Sequence, residues 1–255
     1  MKPLLHAALA SIFLLAAVSR AQVNTERFRQ DADSLGFSVS SDLDLTVMLG
    51  NADFMMAGTS TRFNINRETA YAFLVIEGGL GREKGNSFFN QALAHFRNVT
   101  TLSPALQLEE FVQYDFNKKR LLLSRMLAGA GLRFKVFKNK VVKIRNGLSC
   151  FFEYEQYTLE ENNRHEVDAS ALRLSTYLTT EVSVRKDVRY IGVTYFQPDM
   201  QYGKDFRILS DHALEIHLGK HAALMVKATY RYDSRPPDGI KAFDFITKSG
   251  VALDF

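Results

Sequence analysis

From Leu35 to the C-terminus, apolar and polar residues largely alternate with a period of two, and this pattern constrains the fold more than any other feature. Between Phe37 and Leu49, for example, Phe, Val and Leu alternate with Ser, Asp and Thr until Gly50 interrupts the run. Alternate side chains of a strand point to opposite faces of a sheet, so this period predicts long amphipathic strands. We count about twelve of them, which predicts an all-β fold.

The strands and their connections favour a membrane barrel. Most strands have at least the roughly ten residues that a tilted membrane-crossing strand needs. If successive strands alternate in direction, the three longest connections, Leu159–Ser170, Pro198–Asp205 and Ser234–Ile240, all fall on one side. Long loops outside and short turns inside are typical of bacterial barrels. We therefore predict a transmembrane antiparallel up-and-down β-barrel of about twelve strands over residues 35–255, although a soluble sandwich would show the same alternation.

The two ends of the chain indicate export. Met1–Ala21 has the charged start, the apolar core and the small residues of a secretory signal peptide. Residues 22–34 are polar, and we expect them to form a periplasmic segment. The chain ends on Phe255, which resembles the terminal aromatic signal that the barrel-assembly machinery reads. We predict export through the Sec pathway and insertion into the cell outer membrane.

Charged residues occupy the face opposite the apolar one, which predicts a wet lumen. We expect Glu153 and Glu155 to lie between arginines of the neighbouring strands, and Glu215 to lie beside Lys227 and Arg231. Two interpretations stay open, namely a narrow passive channel for small solutes or ions, and a structural or envelope-stress barrel with a salt-bridged, filled lumen. The predicted lumen-lining charges are Arg125, Arg133, Glu153, Glu155, Arg173, Glu215, Lys227 and Arg231.

Aromatic residues near the predicted strand ends favour an interfacial girdle of the kind that membrane barrels carry. Glu110 is an exception to the pattern, because it lies on an otherwise apolar face, where a carboxylate in lipid would be costly. A bulge, a shifted register or a patch covered by protein would each explain it. The predicted girdle residues are Tyr114, Tyr154, Tyr195, Tyr230, Tyr232 and Phe255.

Composition excludes several other classes. The formal net charge is +4, but the basic residues are scattered among acids and form no nucleic-acid-binding motif, so we expect no nucleic-acid partner. The single cysteine, Cys150, excludes an internal disulfide framework and a Cys-based zinc site. We expect no cofactor and no metal. The predicted protein is a monomer in contact with outer-membrane lipids and lipopolysaccharide.

One pair of residues suggests catalysis, although we expect the protein not to be an enzyme. Ser210 and His212 are two apart, so they share the face of their strand that continues into apolar residues. A serine nucleophile needs a base within hydrogen-bond reach and a third group that orients the base. No asparagine is evident on the flanking strand ends, where the nearest acid is Asp199, in a predicted loop. A lipid-acting serine hydrolase is therefore the less favoured hypothesis.

The chain also resembles a known family. His95-Phe96-Arg97-Asn98, Glu110–Tyr114 and Ser124–Arg133 follow, in this order, the pattern of domain of unknown function 481. Arg173–Tyr177 and Tyr195–Pro198 continue the resemblance, which extends over nearly the whole predicted mature chain. Members of that family are described as salt-induced outer-membrane proteins. The resemblance implies an outer-membrane location and no established chemistry.

Overall fold

A computed structural model describes residues 35–48, 54–84, 86–219 and 222–253. The predicted signal peptide, the segment 22–34 and Phe255 lie outside the described residues. Twelve strands and one short 3₁₀ helix, Lys118–Arg120, make up the regular structure of the described part. The strands, β1 to β12 in chain order, are Gly36–Met48, Phe54–Asn66, Ala70–Glu83, Asn86–Thr101, Leu106–Asn117, Leu122–Lys138, Val142–Tyr157, Asp168–Ser183, Val188–Pro198, Phe206–His217, Ala222–Asp233 and Phe243–Leu253.

Every strand pairs antiparallel with its neighbours in the sequence, and all twelve belong to one sheet in the order β1 to β12. The predicted all-β, up-and-down architecture is confirmed. The differences lie at strand ends. For example, the alternation predicts that the seventh strand begins at Gly147, but β7 begins five positions earlier, at Val142, because Val142–Asn146 continue the pairing with β8.

In the described part of the chain, long connections occur at only one of the two ends of the sheet. Residues 158–167, 199–205 and 234–242 form the long connections, and all three lie at the same end. At the opposite end, residues 67–69, 102–105, 139–141 and 184–187 form short turns. We call these the loop end and the turn end.

The sheet curls around its own inner face. Tyr177 on β8 donates to Glu109 on β5, and Arg133 on β6 donates to Tyr71 on β3. In a flat sheet, strands three positions apart are separated by about 14 Å, too far for such contacts. Arg120, which follows β5, reaches Asp244 on β12. These contacts cross the interior of the curl.

The ring that the sequence predicts is not closed by backbone pairing within the described part of the chain, where β1 pairs only with β2 and β12 only with β11. The described residues also include no helix with the length and apolarity that a membrane crossing needs.

Burial alternates along the strands, but the charged side chains are buried and the apolar ones are exposed. From β3 to β11, the odd-numbered side chains point into the curl and the even-numbered ones point outward. The inner face holds buried charges, such as Arg133 and Glu153, which are 0% and 1% exposed. The outer face holds exposed apolar side chains, such as Phe152, which is 54% exposed. A soluble fold would place these classes the other way round.

Candidate functional site

Three arginines and three carboxylates form a buried group on the inner face, towards the loop end. We call it the arginine–carboxylate network. Each member is at most 4% exposed. The six residues lie on the inner faces of β5, β6, β7, β8 and β10. Such burial is tolerated only where each charge is paired and hydrogen-bonded. The members are Asp115, Arg125, Glu153, Glu155, Arg173 and Arg207.

Arg207 on β10 is the centre of this network. Its Nη1 donates to both carboxylate oxygens of Glu153 at 2.9 Å. Its Nη2 donates to Glu155 Oε2 at 2.8 Å, and its Nε donates to Asp233 Oδ2 at 3.1 Å. Every nitrogen of this guanidinium therefore has a carboxylate partner.

The other two arginines complete the pairing. Arg125 Nε donates to Asp115 Oδ1 at 3.0 Å, and its Nη1 lies 3.9 Å from Glu155 Oε1. Arg173 donates to Glu153 and also to both oxygens of Asp205, at 3.1 and 3.2 Å. The network therefore balances its three buried cations with carboxylates inside the curl.

A second charged cluster lies nearer the turn end, around Glu109. Its carboxylate accepts from Arg133 Nη1 at 3.2 Å and from the Tyr177 hydroxyl at 2.7 Å. Arg97 Nη1 lies 3.6 Å away. Glu109 thus ties β5 to β4, β6 and β8.

Aromatic rings and a small cavity separate the two clusters. The cavity has a volume of about 40 Å³ and is lined by members of both clusters, with Phe111, Phe151 and Tyr195. A second cavity, of about 20 Å³, lies beside Arg120 and Pro237. Spaces of this size hold roughly one to three water molecules. Side chains therefore fill most of the space between the two charged clusters.

Glycines on the inner face make room for this filling. A Cβ at Gly147 would overlap the ring of Tyr177, and a Cβ at Gly129 would meet Phe151 and Phe111. Because glycine has no Cβ, the neighbouring rings can lie flat across the strands. The bare backbone of β6 and β7 thus allows the close packing around Glu109.

The structure places the predicted lumen-lining charges unequally. Arg125, Arg133, Glu153, Glu155 and Arg173 are buried inside the curl, in the clusters described above. Arg231 is also buried, but its Nη2 donates to Asp211 at 2.9 Å. Glu215 is half-buried opposite Met225, while Lys227 is exposed. Among the described residues, no ion pair joins Glu215 to Lys227 or Arg231.

The predicted girdle needs one correction. Tyr114 and Tyr154 are exposed on the outer face, and Tyr230 and Tyr232 are half-buried there. Tyr195, by contrast, is 5% exposed and points inward, where its ring centroid lies 4.8 Å from that of Tyr177. It shares the inner face of β9 with Val193, so its assignment to the girdle is wrong. The interior needs its ring to fill space between the charged clusters.

Glu110 does lie on the outer face, as its position in the pattern predicts. The register is continuous there, with Glu110 opposite Asn98 on β4 and Ala130 on β6, so a bulge does not explain it. Asn98 Nδ2 donates to Glu110 Oε2 at 3.1 Å. This partner reduces the cost of the exposed carboxylate.

On the outer face of β9 and β10, four side chains form a continuous hydrogen-bond chain. Ser210 Oγ lies 2.8 Å from His212 Nε2. The Tyr190 hydroxyl lies 2.6 Å from His212 Nδ1, and Thr194 Oγ1 lies 2.6 Å from Ser210 Oγ. We call this set the Ser210–His212 chain. Asp199, the acid considered from the sequence, instead accepts from the backbone of Gln201 and Tyr202 in its own loop.

Two loops meet at the loop end. Arg164, after β7, donates from its backbone and its side chain to Asp238, after β11, at 2.9–3.1 Å. Asn163 binds the Asp238 backbone. These hydrogen bonds from Arg164 hold the pKa of Asp238 below its usual value.

Sequence reasoning missed Arg207, Glu109 and Tyr190. Arg207 and Glu109 occupy odd-numbered positions, so the alternation alone could have placed them on the inner face. Their partners lie across the curl, and the alternation does not indicate them. Gly192 lies opposite His212 in the register of β9 and β10, and the Tyr190 side chain extends over this glycine to reach His212. A glycine within a strand can mark such a close approach. No group of three or more His, Cys, Asp and Glu side chains suited to a metal ion occurs in the described residues.

Comparisons with known proteins add a family. A family model described as "Protein of unknown function, DUF481" matches residues 35–255. No curated protein matches the chain. Among solved structures, a NanC porin in a rhombohedral crystal form is similar, with 8% sequence identity, 86% of this chain and 99% of that chain covered, and a TM-score of 0.45. At that TM-score the likeness carries no argument about function.

Proposed function

Because this chain belongs to the DUF481 family of proteins of unknown function, we propose its function from its own structure. The protein is an outer-membrane β-barrel whose lumen is closed by buried ion pairs, and its role in the envelope is structural. The observation that carries this proposal is the inverted burial, with charges inside and apolar side chains outside, together with the side chains that fill the space between the two charged clusters.

The outer face supports the membrane location. Leu43 is 81% exposed, and Phe245 and Val112 are also exposed on the outer face. Monomeric soluble proteins rarely expose apolar surface in a continuous band of this extent. Lipid solvates such a band, whereas water does not, and every strand between β2 and β11 has its backbone paired on both sides.

The interior favours a closed lumen over a channel. An ion path needs a continuous wet passage, whereas the cavity between the charged clusters and the cavity beside Arg120 each hold only a few waters. Arg133 and Glu153 are completely desolvated by their neighbours. The charges therefore stabilise the packed interior instead of lining an open pore.

Closure of the ring is part of the proposal. In a bilayer, the free edges of β1 and β12 would leave backbone groups without hydrogen-bond partners in hydrocarbon. The contact of Arg120 with Asp244 brings β12 across to the middle of the sheet. We propose that β1 and β12 pair antiparallel in the membrane and complete the barrel.

Planar-bilayer recording tests the closed lumen. The refolded protein inserted into a bilayer should show no steady ohmic steps. A variant with an emptied network, Arg125→Ser/Glu153→Ser/Arg207→Ser, serves as the matched control and should conduct if it folds. Steady steps from the wild type, comparable with those of the variant, would show a channel. Recovery of the natural protein in the inner-membrane or soluble fraction of cells would refute the location.

A further inference from the structure

The Ser210–His212 chain is polar and lies on a face that is otherwise apolar, and the closed interior gives no reason for it. Ser210, His212 and Leu214 have the outward parity of β10, whereas Arg207 and Asp211 have the inward parity. Ser210 is 8% exposed, and His212 and Leu214 are half-buried. The register brings Thr194 opposite Ser210 and Gly192 opposite His212. Two strands thus bring two hydroxyls, an imidazole and a phenol together on the outer face of the sheet.

When the imidazole is neutral, one of its two tautomers gives a chain of hydrogen bonds that runs from Thr194 through Ser210 and His212 to Tyr190. Such a ring has one donor nitrogen and one acceptor nitrogen. If Ser210 donates to Nε2, Nδ1–H donates to the Tyr190 oxygen, and Thr194 can donate to Ser210 Oγ. Ser210 then faces a base whose other nitrogen is held in place. This is the arrangement that activates a serine hydroxyl.

Gly192 makes this arrangement possible. A Cβ at this position would lie 2.5 Å from the Tyr190 hydroxyl and 2.8 Å from His212 Nδ1. Any larger residue would therefore separate the tyrosine from the histidine. The Tyr190 and His212 rings stack across the glycine with their centroids 5.9 Å apart.

The depth of Ser210 identifies a class of substrate. Phe196, Phe206 and Tyr232 stack on one another towards the loop end, and both Phe196 and Tyr232 lie opposite Ile208. Aromatic clusters of membrane barrels lie at the lipid interface. Ser210 is two residues, or about 7 Å, further along the strand, which at a tilt of about 40° places it about 5 Å deeper. The ester groups that join acyl chains to lipid headgroups lie at this level.

We propose that Ser210 and His212 are a nucleophile and a general base that act on acyl esters of membrane lipids, with Tyr190 as a positioning residue. This inference is independent of the closed lumen, because the chain lies on the opposite face of the sheet from the charged clusters.

The reaction balances without a metal or a redox partner. Ser210 Oγ bonds to the ester carbonyl carbon while His212 Nε2 takes the serine proton. The bond from that carbon to the alcohol oxygen breaks, and His212 gives the proton to the leaving oxygen. Water then attacks the acyl-serine and loses its proton to His212. The fatty acid leaves, and the proton returns to Ser210.

A fluorophosphonate probe tests the nucleophile directly, since an activated serine displaces its fluoride. The refolded protein in phosphatidylcholine vesicles should be labelled on Ser210, as read by peptide mass spectrometry. Ser210→Ala should abolish labelling, and His212→Asn should slow it by roughly 100-fold. Ser124→Ala is the matched control, because Ser124 on β6 also faces outward but bonds to the Gln156 amide. It should leave labelling unchanged.

Turnover tests the substrate class. Fatty acid release is measured from vesicles of phosphatidylcholine and, separately, from vesicles containing lipopolysaccharide, which distinguishes the two sources of acyl ester. Tyr190→Phe should lower kcat by roughly 10-fold with little change in KM, because it disorients the base without touching the lipid. The folding of each variant is checked by its gel mobility without heating. A variant that had lost activity through misfolding would also lose the mobility shift of the folded wild-type protein.

Two results would overturn the proposal. The first is a folded wild-type protein that neither reacts with the probe nor releases fatty acid from either vesicle. The second is labelling or release that persists in full in Ser210→Ala. Neither result would change the conductance expected of a closed lumen, so the two proposals fail separately.

Discussion

Arg207 on β10 donates from one guanidinium nitrogen to both carboxylate oxygens of Glu153 on β7, each at 2.9 Å. The two residues belong to strands that are three positions apart in the sheet. Their contact therefore holds the curvature of the sheet rather than the pairing of neighbouring strands. Because Arg207 also binds Glu155 and Asp233, it links β7, β10 and β11 across the interior.

Replacing Arg207 with methionine should destabilise the protein strongly. The change leaves Glu153 and Glu155 as buried carboxylates with one cation fewer, and the loss of one partner of a buried ion pair costs about 3–5 kcal/mol. The free energy of unfolding is measured in urea by circular dichroism. Arg185→Met, the same change in an exposed turn, is the control and should shift it by less than about 0.5 kcal/mol. Equal effects of the two changes would contradict the role of Arg207.

Removing both partners tests whether the pair, rather than the arginine alone, carries the effect. In Arg207→Met/Glu153→Gln, the buried negative charge is also gone, so the loss should be smaller than in Arg207→Met alone. The interaction energy follows from the double-mutant cycle. A cycle in which the two single losses simply add would show that these residues do not interact.

The period-two pattern was sufficient to predict the strand order, the difference between the two ends and the inward charges of β6, β7 and β8. It could not predict the partners of those charges, because alternation defines the face of a side chain but not the curvature that brings β7 to β10. Tyr195 was placed outside for a related reason. An aromatic ring near a strand end fits a girdle or a packed interior equally well, and only the register with Tyr177 distinguishes them.

The outward chain shows a different limit. Ser210 and His212 are two residues apart and were visible in the sequence, whereas Tyr190 is on another strand and two residues out of register with His212. Its contact depends on a ring that extends over Gly192. A strand-by-strand reading could not find that diagonal neighbour.

Gly147→Ala should destabilise the packed interior. The new methyl group would overlap the Tyr177 ring, and overpacking a filled core typically costs about 1–3 kcal/mol. Gly78→Ala is the matched control, because the nearest atom to its new Cβ is the Thr59 methyl carbon at 3.7 Å. Urea unfolding of both variants checks this. If Gly147→Ala is as stable as Gly78→Ala, the interior is not packed as described.

The contact between Arg164 and Asp238 should be lost in acid. Hydrogen bonds from Arg164 lower the pKa of Asp238 in the folded protein. The contact therefore stabilises the folded protein at a pH above the ordinary pKa of an aspartate. This contribution disappears as the pH falls through the lowered pKa of Asp238. The NMR shift of the Arg164 side-chain N–H, followed through an acid titration, reports the change. A titration midpoint at or above the ordinary pKa of an aspartate would refute this prediction, as would the same transition in Asp238→Asn.

The native Cys150 offers the most direct test of the inverted burial. This residue is exposed on the outer face of β7, and a nitroxide attached to it in vesicles should collide with oxygen, which concentrates in the bilayer, more often than with a water-soluble nickel chelate. A nitroxide on Lys140→Cys, in the turn before β7 and with Cys150 replaced by serine, should show the opposite preference. If the Cys150 label instead collides mainly with the nickel chelate, or with neither reagent, the outer face is not in lipid and the membrane barrel is contradicted.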